Sequence, residues 1–154
     1  MASWSLTDGV LTISNAAGSG NGSFITGISF DLSAGQTVAL SASQGAGVAY
    51  TSGGGANLPA SLGWSIDQEY KPDGKPATNG IHAGESLSFD VGGVTLADIG
   101  SGAFKFGVHV QALGGDRSEK LINVSQVPEA GSLAMMLAGM AAMSGVVARR
   151  RLPR

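Results

Sequence analysis

A stretch of nineteen residues without a charged side chain, Ala130–Ala148, lies near the C-terminal end. As a helix it would be roughly 28 Å long, close to the ~30 Å hydrocarbon core of a bilayer. Its only polar side chains are two serines, so it lacks the polar face of an amphipathic helix. Four arginines follow it: Arg149, Arg150, Arg151 and Arg154. The pattern predicts one C-terminal transmembrane helix, residues 131–148, and a cytoplasmic basic tip, residues 149–154. The alternatives are a buried C-terminal helix and an apolar tail that is disordered in water.

The charges divide the chain into an acidic body and a basic end. Residues 1–129 hold five basic and eleven acidic side chains, a net charge of −6, whereas residues 149–154 carry a net charge of +4. Only 13% of all residues are charged. A charge-poor, acidic body lacks the basic face that nucleic-acid binding needs, so no nucleic-acid partner is predicted. Because there is no cysteine, disulfides and thiol catalysis are excluded.

With the arginines inside, the acidic body lies outside the cytoplasm, and this topology requires an export signal. Residues 1–10 contain neither a basic n-region nor an apolar run. Either the start is truncated or misassigned, or the C-terminal segment inserts by itself. We expect a missing leader, because an exported body needs a route across the membrane.

Residues 1–126 alternate between apolar and polar side chains in short runs, separated by clusters of Gly, Asn, Ser, Pro and Asp. Alternation of this kind predicts strands with one buried face. The predicted strands are residues 3–7, 10–14, 24–32, 37–41, 62–67, 86–91, 104–111 and 121–125. We therefore predict an all-β body, an antiparallel β-sandwich or jelly-roll-like fold, with Trp64 at the centre of its core. Asp8 and Gly9 predict a hairpin turn between the first two strands.

The body offers little catalytic chemistry. His82 and His109 lack a second histidine or carboxylate at ligand spacing, and both are predicted to be exposed to solvent. The acidic residues Asp67, Glu69 and Asp73 match no calcium-loop spacing and predict a solvated polar loop. No acid, base and nucleophile converge in the sequence, so we predict no enzyme activity, no cofactor and no metal.

A three-part pattern at the C-terminal end resembles a known sorting signal. It consists of a short box, an apolar helix and an arginine cluster, and the box residues are Val127, Pro128, Glu129 and Ala130. This order resembles the PEP-CTERM family, in which a Val-Pro-Glu-Pro box precedes a transmembrane helix and a basic tip. The chain has Ala130 where the family usually has its second proline. Segments 22–32 and 106–121 also resemble those of small PEP-CTERM surface proteins.

The resemblance implies a partner and a location. It implies processing by exosortase, a membrane enzyme of Gram-negative bacteria that make exopolysaccharide. The body would be anchored at the inner membrane on its outer side and then reach the cell surface or the extracellular space. In this interpretation residues 1–126 form the ectodomain and residues 127–154 the sorting signal, with box 127–130.

Two functions remain open for the body. The first is an exported, non-enzymatic envelope or extracellular-matrix protein, with exopolysaccharide as a candidate partner. The second is a carbohydrate-binding module or adhesin that uses aromatic and acidic loop residues, with Tyr50, Tyr70 and Asp67 as its candidates. A β-sandwich suits both functions.

Overall fold

Antiparallel strands make up most of the body. The computed structural model describes residues 2–16, 22–41, 46–113 and 117–123. The strands in these ranges are β1 Ala2–Thr7, β2 Val10–Asn15, β3 Phe24–Leu32, β4 Thr37–Leu40, β5 Tyr50–Ser52, β6 Gln68–Pro72, β7 Ser86–Gly92, β8 Phe104–Gln111 and β9 Ser118–Ile122. The helices are α1 Pro76–Asn79 and α2 Leu96–Ser101. The predicted all-β class of the body is confirmed.

The strands form two antiparallel sheets. The four-stranded sheet has the order β1-β2-β7-β4, and the five-stranded sheet has the order β5-β6-β3-β8-β9. Strands β1 and β4 are the edges of the first sheet, and β5 and β9 are the edges of the second. Each sheet turns one apolar face toward the other, so both contribute to one core.

Strand alternation explains which side chains face this core. In β2, Leu11 and Ile13 are buried, and in β7 the buried positions are Leu87, Phe89 and Val91. The intervening residues point to the opposite face because successive side chains of a strand alternate. The period of the sequence therefore determines the inner face of the four-stranded sheet.

The hairpin between β1 and β2 has the predicted turn. Asp8 and Gly9 both have positive φ, 49° and 77°. A two-residue turn with positive φ at both positions matches the right-handed twist of the strands it joins, and Asp-Gly is a preferred sequence for it. The turn fixes a register in which Thr7 pairs with Val10 and Ala2 pairs with Asn15.

Aromatic rings join the two sheets at the centre of the core. Phe30 on β3 is fully buried, and its ring centroid lies 5.1 Å from that of Phe89 on β7. Tyr70 on β6 also lies against Phe89, at 5.0 Å between centroids. The rings of Phe104 and Phe106 on β8 complete the group, at 5.9 and 6.2 Å from Phe30. The centre of the core therefore lies at Phe30 and Phe89.

Both helices are short, with four residues in α1 and six in α2. Helix α2 begins with a capping box, in which Thr95 accepts a hydrogen bond from the Asp98 backbone N–H and Asp98 accepts one from Thr95. These bonds satisfy donors that a helix N-terminus leaves unpaired. The Thr95 hydroxyl also donates to the Asp98 carboxylate at 2.6 Å, and this bond, followed by the one from the Thr95 backbone N–H, lowers the pKa of the Asp98 carboxyl. The described residues contain no helix long and apolar enough to cross a membrane. The predicted helix 131–148 lies outside them.

The prediction of a core strand around Trp64 is wrong. Residues 60–62 form a turn of 3-10 helix and residues 63–67 are not in a strand. Gly63 has a φ of +64°, a left-handed conformation that breaks an extended run. Trp64 is half-buried, with the Lys105 ammonium nitrogen 5.8 Å from the centroid of its ring.

Three further predictions of detail need correction. The alternation in residues 24–32 predicts Phe24 on the same face as Ile28, but a β-bulge between Ile25 and Gly27 changes the alternation. The Phe24 ring therefore leaves the core face and stacks on the ring of His82, at 5.2 Å between centroids. Strands β5 and β6 lie where the sequence pattern indicates loop, since only single apolar residues mark them. The last strand begins at Ser118, three residues earlier than predicted.

Candidate functional site

A glycine-rich segment, residues 53–57, lies across the outer face of the five-stranded sheet and is called the glycine strap below. A Cβ atom placed on Gly27 of β3 would lie 2.4 Å from the backbone oxygen of Gly55. A Cβ on Gly55 would lie 2.4 Å from the Ser29 hydroxyl oxygen. Only residues without a side chain permit backbones to approach this closely, so glycine is required at both positions.

Polar groups hold the strap on the sheet. Ser29 of β3 is fully buried; its hydroxyl accepts a 2.8 Å hydrogen bond from the Ala56 N–H and donates to Glu69 Oε1 at 3.1 Å. The Gly53 N–H donates to the Glu69 backbone oxygen at 2.7 Å. At the far end, the Lys120 ammonium group donates to the backbone oxygen of Asn57. The strap is thus fixed at both ends and in the middle.

We expect Gly55→Ala to lower the free energy of unfolding by about 1–3 kcal/mol, because the added methyl overpacks the contact with Ser29 and with the Ile28 carbonyl. Gly100→Ala is the matched control, since outside its chain neighbours and its own helix no described atom lies within 4 Å of the position that its methyl group would take, and alanine favours the helix α2. Urea unfolding of the two variants measures the difference. Equal stability of the two variants would mean that the strap does not pack as described.

A polar cleft of about 380 Å³ opens beside the glycine strap on this outer face. It is called the strap cleft below. Its polar lining residues are Thr26, Asn57, Lys71, Asp73, His109 and Gln111. The volume lies at the lower end of the ~300–1,000 Å³ range of small-molecule sites. Strands β3 and β8 form its floor, because Thr26, His109 and Gln111 belong to them.

The bulge in β3 places Thr26 against His109. Thr26 is the extra residue between Ile25, which pairs with Val110, and Gly27, which pairs with His109. Its hydroxyl donates to the His109 backbone oxygen at 3.4 Å and lies 3.3 Å from His109 Nδ1. When the Thr26 hydroxyl donates to the His109 backbone oxygen, its own oxygen can accept a hydrogen bond from Nδ1–H of the ring. In that tautomer Nε2 carries no proton and is an acceptor.

His109 differs from its predicted environment. It lies on the outer face of β8, as predicted, but it is half-buried instead of exposed. Burial lowers the pKa of its imidazole, and the charge of Lys120 lowers it further. The neutral ring is therefore favoured, which makes His109 a hydrogen-bond partner and a weak base.

A smaller apolar groove of about 190 Å³ lies between the edge strands β1 and β9. Trp4, which is 42% exposed, forms one wall, and its ring meets Phe106 edge-on at 5.8 Å between centroids. Asn123 lies at the end of the groove, where its amide donates to the Phe104 backbone oxygen at 3.2 Å. Its backbone N–H donates to the Phe106 oxygen at 3.0 Å, so Asn123 ties the end of the body to β8.

The aromatic residues predicted for carbohydrate binding are in the core. Tyr50 and Tyr70 are 4% and 5% exposed, and their hydroxyls donate to the backbone oxygens of Ile25 and Val38 at 2.6 and 3.3 Å. Burial raises the pKa of both phenols. Neither ring is accessible to a ligand, so this assignment is wrong.

The acidic residues predicted as a solvated loop are instead partly structural. Asp67 accepts a 2.8 Å hydrogen bond from the Leu32 N–H, and Glu69 lies on β6 beneath the strap. Of the three, Asp73 lines the strap cleft. In the part of the chain that the structure describes, no three His, Asp or Glu side chains lie close enough together to hold a metal ion.

The predicted sorting residues lie outside the part of the chain that the structure describes. These residues are Val127, Pro128, Glu129 and Ala130 of the box and the arginines of the basic tip. Their roles, and the boundary between residues 126 and 127, stay predictions. Sequence reasoning missed the strap cleft because its residues come from four separate segments of the chain.

Comparison with known proteins gives information on one end of the chain. No curated protein and no solved structure matches the chain. Residues 126–151 match the family model of the PEP-CTERM protein-sorting motif. The match covers the box, the predicted transmembrane segment and three of the four arginines. The resemblance is therefore confirmed over these residues, which have the sequence of a PEP-CTERM protein-sorting motif.

Proposed function

We propose that the chain is an exported, non-enzymatic envelope or extracellular-matrix protein that an exosortase-like membrane enzyme processes. The observation that carries the proposal is the match of residues 126–151 to the PEP-CTERM protein-sorting motif. On this proposal the chain first spans the inner membrane with residues 131–148. Its body then lies outside the cytoplasm and reaches the cell surface or the extracellular space after processing.

The charge distribution supports this topology. Arginines that follow an apolar span stay in the cytoplasm by the positive-inside rule, and the four arginines after Ala148 fit that rule. The net charge of −6 on residues 1–129 is then on the outer side. The host expected from the resemblance is a Gram-negative bacterium that makes exopolysaccharide.

The last described contacts of the body end before the box, which supports a signal that can be removed without disturbing the fold. Asn123 makes hydrogen bonds to Phe104 and Phe106 of β8, and the box begins four residues later at Val127. A cut within residues 127–130 would therefore leave the contacts of β9 and Asn123 intact. This spacing suits a signal that is removed after export.

The absence of an enzyme activity is part of the proposal. Thr26 and His109 form a hydroxyl–imidazole pair in the strap cleft, but the hydroxyl bonds to a backbone oxygen. Burial lowers the pKa of His109 and the charge of Lys120 lowers it further, which weakens the imidazole as a general base, whereas an activating carboxylate would raise that pKa. The pair is better suited to binding than to nucleophilic attack.

Topology gives a direct test. A reporter that is active only in the periplasm, fused after Arg154, should be inactive, and a reporter that works only in the cytoplasm should be active at the same position. Both are assayed in membrane fractions of a Gram-negative host. Activity of the periplasmic reporter at this position would overturn the proposed orientation.

The alternative function, a carbohydrate-binding module at the cell surface, rests on a different surface from the one predicted by sequence. The strap cleft supports it, because the cleft combines amide, imidazole, ammonium and carboxylate groups in one accessible site.

A further inference from the structure

We propose that the strap cleft binds an uncharged saccharide, with His109, Gln111 and Asn57 as its main hydrogen-bonding side chains. The inference deepens the alternative function given above by naming the site and the ligand class. It rests on the proposed export in one respect only: export determines where the protein would meet a polysaccharide. Binding itself is a property of the cleft.

The cleft is built before any ligand enters. One wall is the glycine strap, which Ser29 and the Glu69 backbone hold on the sheet. The floor belongs to the paired strands β3 and β8. A preformed site avoids the entropy cost of ordering a loop on binding, so a few hydrogen bonds give measurable affinity.

The polar side chains of the strap cleft suit the hydroxyls of a sugar better than they suit an ionic ligand. A sugar hydroxyl both donates and accepts a hydrogen bond. The amides of Asn57 and Gln111 each offer a donor and an acceptor side by side, which suits two neighbouring hydroxyls. In the tautomer whose Nδ1–H donates to the Thr26 hydroxyl, Nε2 of His109 adds an acceptor, and the Thr26 contact at 3.3 Å orients that ring.

The charges of the cleft balance. Lys71 and Asp73 both line it, one positive and one negative. Lys120, a further cation, is engaged with the backbone oxygen of Asn57. An anionic ligand would have to approach Asp73 as well as Lys71, so the lining gives no net attraction for phosphate or for a uronic acid chain. We therefore assign the cleft to uncharged sugars.

The test is a titration of the purified full chain in detergent with defined oligosaccharides. The neutral probes are hexasaccharides of glucose with β-1,3 and β-1,4 linkages and a mannose hexasaccharide; the acidic probe is hexagalacturonate. Calorimetry gives the dissociation constants, and NMR follows the imidazole signals of His109 and His82. We expect at least one neutral probe to bind and to shift the His109 signal.

Variants locate the binding. Gln111→Ala and His109→Ala should each weaken binding of the neutral probe by about tenfold or more, because each removes a hydrogen bond to the ligand. Trp4→Ala is the control, since Trp4 lies in the apolar groove and outside the cleft. It should leave binding unchanged. An unchanged unfolding midpoint of Gln111→Ala shows that its loss of binding is local.

Three results would overturn the proposal: no binding of any neutral probe, stronger binding of hexagalacturonate than of the neutral probes, or loss of binding in Trp4→Ala with full binding in Gln111→Ala. None of them affects the sorting proposal, because the topology reporters do not depend on a ligand. In turn, a failed topology test leaves the measured affinity of the cleft unchanged.

Discussion

Phe30→Ala is expected to lower the free energy of unfolding by about 3–5 kcal/mol, the range found when a fully buried phenylalanine is truncated. Phe30 has no exposed surface, and its ring meets rings of both sheets. The truncation leaves a cavity at the point where β3 faces β7. Urea unfolding of the full chain in a mild detergent measures the loss.

Trp64→Ala provides the comparison within the same chain. Trp64 is half-buried and lies in no strand, and its defined contact is with the Lys105 ammonium group. We expect its truncation to cost about 1 kcal/mol, on the scale of a partly exposed cation–π contact. A larger loss for Trp64→Ala than for Phe30→Ala would contradict the position of the core at Phe30 and Phe89.

Pro128→Ala is expected to slow removal of the C-terminal signal strongly. Proline cannot continue a helix toward the N-terminus, so Pro128 favours an extended box before the predicted membrane helix. An extended backbone is what a processing enzyme binds. Alanine favours helix and would let the membrane helix extend into the box. The rate is followed as the ratio of full-length to shortened chain after a pulse of synthesis.

Ala130→Pro is the matched change in the opposite direction. It restores the proline that the PEP-CTERM pattern usually has at this position, and it should speed processing. Neither change touches the described body, so the unfolding midpoint should be the same in both variants. Equal processing rates of Pro128→Ala, Ala130→Pro and the unaltered chain would contradict a role of the box in recognition.

The strands were predictable where they bury one face and leave the other polar. Strands β2, β7 and β8 alternate strictly, and their inner residues are those that the sequence indicates. The Asp8-Gly9 turn was predictable because its backbone conformation restricts the residue types that fit. In these places local pattern and tertiary burial agree.

Other elements depend on contacts that no local pattern contains. The alternation around Trp64 resembles a strand, but the left-handed Gly63 interrupts it. Strand β6 has one large apolar residue, Tyr70, and exists because β3 and β5 pair with it on either side. In the sequence, a tyrosine on a polar segment suggests a ligand-binding residue. In the structure the Tyr70 hydroxyl instead donates to the Val38 backbone oxygen inside the core.

The strap cleft was beyond sequence reasoning for a related reason. Thr26 and His109 are 83 residues apart in the chain and meet only because β3 pairs with β8 around a bulge. The glycines of the strap resemble an ordinary flexible loop in the sequence. Their role follows from the contact between Gly55 and the hydroxyl of Ser29, which the sequence does not indicate.

The most direct test of the proposed sorting is the intact mass of the mature protein from two otherwise identical hosts, one with and one without an exosortase-like enzyme. We predict a chain shortened by a cut within residues 127–130 in the first host. The second host should retain the membrane-bound chain with its residues 131–154. The same mass in both hosts, with residues 131–154 still attached, would contradict processing and make the C-terminal segment a plain membrane anchor.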